Sequence, residues 1–263
     1  MRVVALTFHD VKAESPEHAT APNDEFYQIR ASEFDALLSE LRRLGYRSIS
    51  SKTFRSWQQG QTKLPERTVV LTFDDGYASH FEVVAPALLR HRFSGTFFVT
   101  TQRIGQPGFM TWDQLRKLLF LGMEIGSHGA SHKPLTNLKA EELRDELVQS
   151  KRELEQQLGV PIGSLAAPGG FWNKTVADAT RQAGYEAVWI SAIGTNGPET
   201  NALALRRVVV RQPFALQRLI AVVEGRPSAF WWIASQQQLI RLCKRVLGLY
   251  WYEKLKRKLV PNA

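Results

Sequence analysis

The sequence predicts one α/β domain, a parallel sheet covered by helices, with a basic tail appended. Three observations carry this. Short apolar, β-branched runs alternate with stretches of helical periodicity along most of the chain. Polar, glycine-containing segments recur behind the C-terminal ends of the apolar runs, the face on which barrel proteins build active sites. Positive charge gathers at one end. Of a net +9, residues 206–263 hold 12 basic and 2 acidic residues, leaving 22 basic against 23 acidic in residues 1–205.

Taken in order, residues 2–8 form a short apolar run that reads as a buried strand. Residues 11–30 are polar, hold Pro16, Pro22 and Asn23, and read as a long loop. Ser32 is a plausible cap for a helix running to Leu44, with apolar residues at 34, 37, 38, 41 and 44, and Gly45 ends it. A second strand over 69–73 leads through Asp74-Asp75-Gly76-Tyr77 to a helix around 81–91, and 95–99 is a third strand. Residues 111–121 are helical, 123–126 form a short strand running into Ser127-His128, and a long charged helix covers about 139–158. Residues 165–166 precede Pro168-Gly169-Gly170, 174–183 are helical, and 187–190 and 207–210 are strands. No internal repeat or low-complexity segment interrupts this order.

Composition fits the same picture. With 263 residues, 44% hydrophobic and 22% charged, the chain resembles a soluble globular protein and is long enough to bury a large core without disulfides. One cysteine, Cys243, excludes a disulfide framework and a cysteine-based zinc cluster, and fits a reducing compartment. The opening Met1-Arg2 passes directly into Val3–Phe8, too short an apolar run for a signal-peptide core, and no stretch approaches the ~20 apolar residues of a membrane span. The expectation is a cytoplasmic protein. Its tail, 228–263, sets Phe230-Trp231-Trp232-Ile233 and then Leu239, Leu242, Val246, Leu249 and Tyr250 at helical spacing against Lys254, Lys256, Arg257 and Lys258. A basic amphipathic helix with tryptophans at its apolar edge suits an anionic membrane surface, here the inner face, although a helix docked on the domain's own core has the same pattern. No nucleic-acid motif accompanies the charge, so no nucleic-acid partner is expected.

Three clusters at strand ends carry chemistry. In Thr72-Phe73-Asp74-Asp75-Gly76, two carboxylates follow a buried strand, where one can hold a metal while the other accepts a proton. A solvated turn is the plainer reading of such a pair. In His128-Gly129-Ala130-Ser131-His132, two histidines sit at i and i+4, a spacing that on one helical turn presents both imidazoles to one ion. Pro168, Gly169, Gly170, Phe171 and Trp172 combine a glycine turn with aromatic surface against which a sugar ring could lie. Together Asp75, His128 and His132 offer one oxygen and two nitrogens, the three-ligand set of a catalytic zinc, and cobalt, nickel or iron suit the same donors. Asp74 is then the candidate general base.

With these residues in view, the chain resembles the polysaccharide deacetylase (NodB homology) family, carbohydrate esterase family 4. Thr72–Gly76 matches the family's first motif and His128–His132 its second, with Gly129 where serine or threonine is usual. The resemblance covers about residues 3–225, and 1–227 is the expected catalytic domain. It implies a distorted (β/α)7-type barrel and metal-dependent removal of N-acetyl groups from an amino-sugar polysaccharide or a lipid-linked saccharide. It implies Asp74 as base, Asp75, His128 and His132 as metal ligands, and the Tyr77 backbone N–H as an oxyanion donor. The third motif's arginine, which braces the catalytic aspartate, is replaced by Ala166; Arg206, Arg207 and Arg211 are the candidates to stand in. The late histidine acid is missing, since no histidine follows His132. Phe8-His9-Asp10 is similar to the N-terminal element of the poly-N-acetylglucosamine deacetylase branch, which implies His9 as general acid, oriented by Asp10. His18, His80 and His91 are expected at the surface. The rival readings are a catalytically impaired member that binds glycan or membrane, and amide hydrolysis on a substrate other than a sugar.

Overall fold

The computed structural model describes residues 1–13 and 25–235. Apolar alternation with both faces buried builds its centre. In β1 (Val4–Phe8) and β5 (Thr68–Phe73), Val4, Leu6, Phe8, Val69, Leu71 and Phe73 face outward into the core under the helices. Val3, Ala5 and Val70 face a smaller inner core shared with Ile49, Phe54, Phe98, Ala166, Ala187, Trp189 and Leu205. A strand buried on both sides belongs to a parallel sheet sandwiched by other layers. The period of two then carries Thr7 and Thr72 onto the inner side, where their hydroxyls lie 3.0 Å apart.

Between these strands come β2 (Val11–Lys12), β3 (Ile29–Arg30), α1 (Ala31–Arg43), β4 (Arg47–Ile49) and α2 (Ser51–Gln58). Beyond β5 follow a wide π-wound turn at His80–Val84, α3 (Ala85–Arg90), β6 (Thr96–Val99), α4 (Trp112–Phe120), β7 (Glu124–Ser127) and α5 (Ala140–Leu158). The chain continues through β8 (Ser164–Ala166), α6 (Lys174–Gln182), β9 (Ala187–Ile190), β10 (Leu205–Arg206), β11 (Val208–Val209) and α7 (Leu216–Val223), and residues 227–235 are helical. The main sheet has nine strands in the order β10-β9-β8-β7-β6-β5-β1-β11, with β4 also on β5, and every pairing is parallel. Its two ends, β10 and β11, are separated along the chain by Arg207 alone, so the sheet comes round nearly to a closed barrel.

The predicted fold class holds, with corrections in detail. The strand expected over 207–210 is the shorter β11, with β10 ahead of it and Arg207 between the two, and β4 and α2 have no counterpart in the sequence reading. The 11–30 segment contains the parallel pair β2–β3. Helix α1 begins at Ala31 with Arg30 in the cap position, so Ser32 is not the cap; the Glu33 carboxylate accepts the Arg30 backbone N–H at 2.9 Å instead. His80 is not a surface residue. It is fully buried, packed edge-on against Phe73 and Tyr77, and its Nε2 donates to the His9 carbonyl at 2.7 Å. His91 is half-buried and hydrogen-bonded to Asp35, and His18 lies outside the described residues. So does most of the tail, including Cys243 and all of 236–263. Among the described residues no helix is long and apolar enough to cross a membrane.

The aromatic stack of the outer core offers a test of this packing. Phe97 is fully buried with its ring 4.8 Å from Phe73, so Phe97→Ala is expected to cost about 3–5 kcal/mol in urea unfolding. A loss under about 1 kcal/mol would contradict the packing described.

Candidate active site

All three chemical clusters sit at C-terminal strand ends, on one face. Asp74 follows β5 beside the end of β1, its N–H donating to the Phe8 carbonyl at 2.9 Å. Continuing the inward parity of Val70 and Thr72, its carboxylate is buried inside the barrel mouth. There Arg207 meets it in a two-pronged ion pair, Nη1 to Oδ1 at 2.7 Å and Nη2 to Oδ2 at 2.9 Å. Arg207 is itself 1% exposed, lies over the Phe98 ring and also donates to Thr72 Oγ1 at 3.3 Å. Burial works against the Asp74 charge, yet the guanidinium beside it prevails and holds its carboxyl below the usual carboxylate range. This answers the question left by Ala166: of the three candidate arginines, Arg207 braces the aspartate. Ala166 is fully buried in β8 and contributes its carbonyl instead.

That carbonyl sets the chemistry of His128. The imidazole is buried, which lowers its pKa to about 4, so it is neutral at pH 7. Its Nδ1–H donates to the Ala166 carbonyl at 2.8 Å, which leaves Nε2 with its lone pair directed elsewhere. Nε2 lies 3.7 Å from Asp75 Oδ1, and His132 Nε2 lies 2.8 Å from the same oxygen. One ligand atom from each of Asp75, His128 and His132 falls within 4.8 Å of the others. Burial again opposes the Asp75 charge, but the hydrogen bond from His132 and the nearby imidazoles keep its carboxyl well below the ordinary range. One carboxylate and two imidazoles, one fixed in its tautomer by a backbone carbonyl, fit a divalent ion of the zinc class. Arg103 from the loop after β6 donates to Asp75 Oδ1 at 3.2 Å, a neighbour that the motif gave no reason to expect.

The two histidines converge without a helix, which corrects the sequence reading. Residues 128–132 form an irregular loop whose Gly129 and His132 both have positive φ, +78° and +65°. Backbone bonds from Thr101 to Gly129 and from Gln102 to Ala130 tie this loop to the one after β6. Glu146 of α5 tethers it from the other side, accepting from Ser131 N at 2.7 Å and Ser131 Oγ at 2.8 Å. A Cβ at Gly129 would stand 2.7 Å from the Glu146 carboxylate, so this chain has no room for the family's usual serine there unless Glu146 moves.

The remaining predicted residues take these places. His9 follows β1 on the inner parity of Thr7. Its ring packs 4.9 Å from Tyr27, and its buried Nδ1 has no hydrogen-bond partner among the described residues. Asp10 does not orient it: the Asp10 carboxylate accepts from Ser79 Oγ at 2.7 Å and Gln28 Nε2 at 3.2 Å. Tyr77 is buried, and burial together with the Asp75 charge pushes its phenol up. It pairs with Phe109 through flanking bonds, Ala78 N to the Gly108 carbonyl and Met110 N to the Gly76 carbonyl, neither of which uses the Tyr77 N–H. After β8, Pro168 is buried, Trp172 packs partly on the outer core, and Phe171 is 56% exposed. Gly169 and Gly170 both have positive φ, and a Cβ on Gly170 would collide with Ser191, so the turn requires glycine there.

Residues 61–188 match the family model described as polysaccharide deacetylase. Over 137 residues the chain is 34% identical to the peptidoglycan-N-acetylmuramic acid deacetylase PdaA of Bacillus subtilis, covering 50% of this chain and 49% of that one. It is 29% identical over 141 residues to the poly-beta-1,6-N-acetyl-D-glucosamine N-deacetylase of Escherichia coli, covering 48% of this chain and 20% of that one. The chain thus spans half or less of the length of these two curated relatives. Among solved structures, the Streptococcus pyogenes deacetylase PplD in complex with acetate superposes with a TM-score of 0.77 at 22% identity, covering 85% of this chain and 98% of that one. That likeness is one of fold.

Two variants test the site's construction. Arg207→Met should leave a buried carboxylate unpaired and cost about 3–5 kcal/mol in denaturant unfolding, and adding Asp74→Asn should recover part of that loss. Additive losses in the double variant would contradict the pairing. Gly129→Ser should cost at least about 1–2 kcal/mol from the positive φ alone and also weaken cobalt binding, read by absorption titration, by displacing the Glu146–Ser131 tether.

Proposed function

We infer that this chain, whose residues 61–188 match the polysaccharide deacetylase family model, hydrolyses the N-acetyl group of an acetylated amino sugar, in a glycan or a lipid-linked saccharide. The observation that carries the reading is the pair of adjacent carboxylates in opposite surroundings. Asp74 is clamped by Arg207, and Asp75 is turned by its φ of +77° toward His128 and His132.

Asp75, His128 and His132 would hold a divalent ion, zinc being the natural choice for such donors. When bound, that ion supplies Lewis acidity, acidifying water and polarising the amide carbonyl. Everything else falls to the chain's own groups. Asp74, kept ionised by Arg207, takes a proton as the water oxygen bonds to the acetyl carbon. The Tyr77 N–H, which the flanking bonds to the 108–110 segment do not use, donates to the oxygen on which negative charge develops. His9 in its protonated form gives a proton to the departing nitrogen as the C–N bond breaks, so the products are acetate and a free amine. Phe171 offers the sugar an exposed aromatic face beside the loop that follows β8. The catalytically impaired alternative drew on the missing third-motif arginine and on the displaced histidine acid; Arg207 in contact with Asp74 speaks against the first of these grounds.

The direct test is acetate release from N-acetylglucosamine oligomers by chelator-stripped protein, before and after zinc or cobalt is added. Release should appear only with metal. Asp74→Asn should lower kcat by about 10²–10⁴, and His9→Ala by a factor within the same range. Metal-independent release, or full activity in Asp74→Asn, would sink this mechanism.

A further inference from the structure

A groove of about 500 Å³ lies between the end of β11, α7 and the helical segment 227–235. Its walls are apolar: Val210, Val222, Ala229, Trp232 and Ile233. Two cations border it. Arg218 stacks on the Trp232 ring at 3.9 Å, and Arg211 on the Phe26 ring at 5.0 Å. Neither has a carboxylate partner among the described residues, and no aspartate or glutamate lines the groove. An apolar channel whose lining adds these two guanidinium groups to the neutral polar side chains of Gln212, Gln217 and Ser228 suits an anionic amphiphile with a thin chain.

A relay of aromatic rings links the groove to the candidate site. Arg211 lies just beyond the C-terminal end of β11, the side from which Asp74 and the histidines project. From Phe26, which lines the groove, ring contacts run to Tyr27 at 5.4 Å and from Tyr27 to His9 at 4.9 Å. The chain's own tail is a poor occupant for this rim. Residues 236–263 carry seven basic residues and one acidic, the same sign as Arg211 and Arg218. Tail and rim together favour a common anionic target.

We propose that this groove binds the hydrocarbon chain of a lipid phosphate, with the phosphate held by Arg211 and Arg218, so that an acetylated amino sugar on a lipid-phosphate carrier is presented to the site at His9. The substrate assignment rests on the deacetylase reading above; the lipid site itself does not. A phosphate between two arginines is a charge-assisted pairing, and each methylene that enters the groove adds roughly fourfold to affinity.

Binding to the full chain is measured by calorimetry with dodecyl phosphate, butyl phosphate and dodecyltrimethylammonium, each kept below its micelle concentration. Dodecyl phosphate should bind at least tenfold more tightly than either of the others. Arg211→Gln with Arg218→Gln should weaken it about tenfold or more, and Ala221→Trp, which fills the groove, should abolish it. Circular dichroism checks the fold of the tryptophan variant, and the arginine variant decides the question alone if Ala221→Trp is misfolded. Equal binding of the cationic and anionic amphiphiles, unchanged affinity in the arginine variant, or binding to anionic vesicles with none to monomeric dodecyl phosphate would overturn the proposal. Acetate release from soluble oligomers is assayed in parallel. A chain that binds dodecyl phosphate but releases no acetate refutes the hydrolase reading and leaves the lipid site standing; release without lipid binding does the opposite.

Discussion

The buried ion pair between Arg207 and Asp74 is the constraint around which the rest of the molecule is arranged. Both groups are almost wholly withdrawn from water, a costly state for two charges unless each finds a close, correctly aligned partner. The double contact provides that alignment, and it can form only if the two ends of the sheet arrive at the same place. Arg207 is the one residue between the strand that ends the sheet on one side and the strand that ends it on the other. Closure of the barrel and pairing of the Asp74 carboxylate are therefore a single structural event.

Around this pair, two neighbouring carboxylates acquire different chemistry from backbone geometry alone. Strand alternation turns Asp74 inward beneath the guanidinium. The next residue leaves the strand in a left-handed conformation, which swings Asp75 toward the imidazoles. Left-handed backbone recurs at Gly129 and His132, and the tether from Glu146 keeps that loop in place. The strain of non-glycine residues at positive φ is thus concentrated where ligand atoms must converge.

Much of this was legible in the sequence, for local reasons. Buried parallel strands announce themselves as continuous apolar runs, so β1, β5, β6 and β9 were recognisable, and the Asp-Asp and His-x-x-x-His pairs stand directly at strand ends. What the sequence concealed was of two kinds. The backbone of 128–132 was misread because i, i+4 spacing is the signature of a helix, whereas a loop bent by two positive φ angles brings the same rings together. Arg207 could not be singled out from Arg206 and Arg211, because its role depends on strand parity across a seam more than a hundred residues from Asp74. His80 was misplaced for a similar reason: only the fold shows that its ring fills space between Phe73 and Tyr77, with its one satisfied nitrogen given to the His9 carbonyl. The short β4 and α2 carry too little apolar pattern to stand out before β5 is there to pair with them.

The single-residue seam also orders events in time. During synthesis Arg207 leaves the ribosome 133 residues after the aspartate it must neutralise. Until then the nascent domain has an unpaired edge on β1 and two carboxylates with no guanidinium to brace the first of them. A partly made chain therefore lacks this ion pair, and the Asp74 carboxylate gains its partner only once the residue between β10 and β11 has been delivered. The same residue serves as keystone and as a signal that the domain is complete.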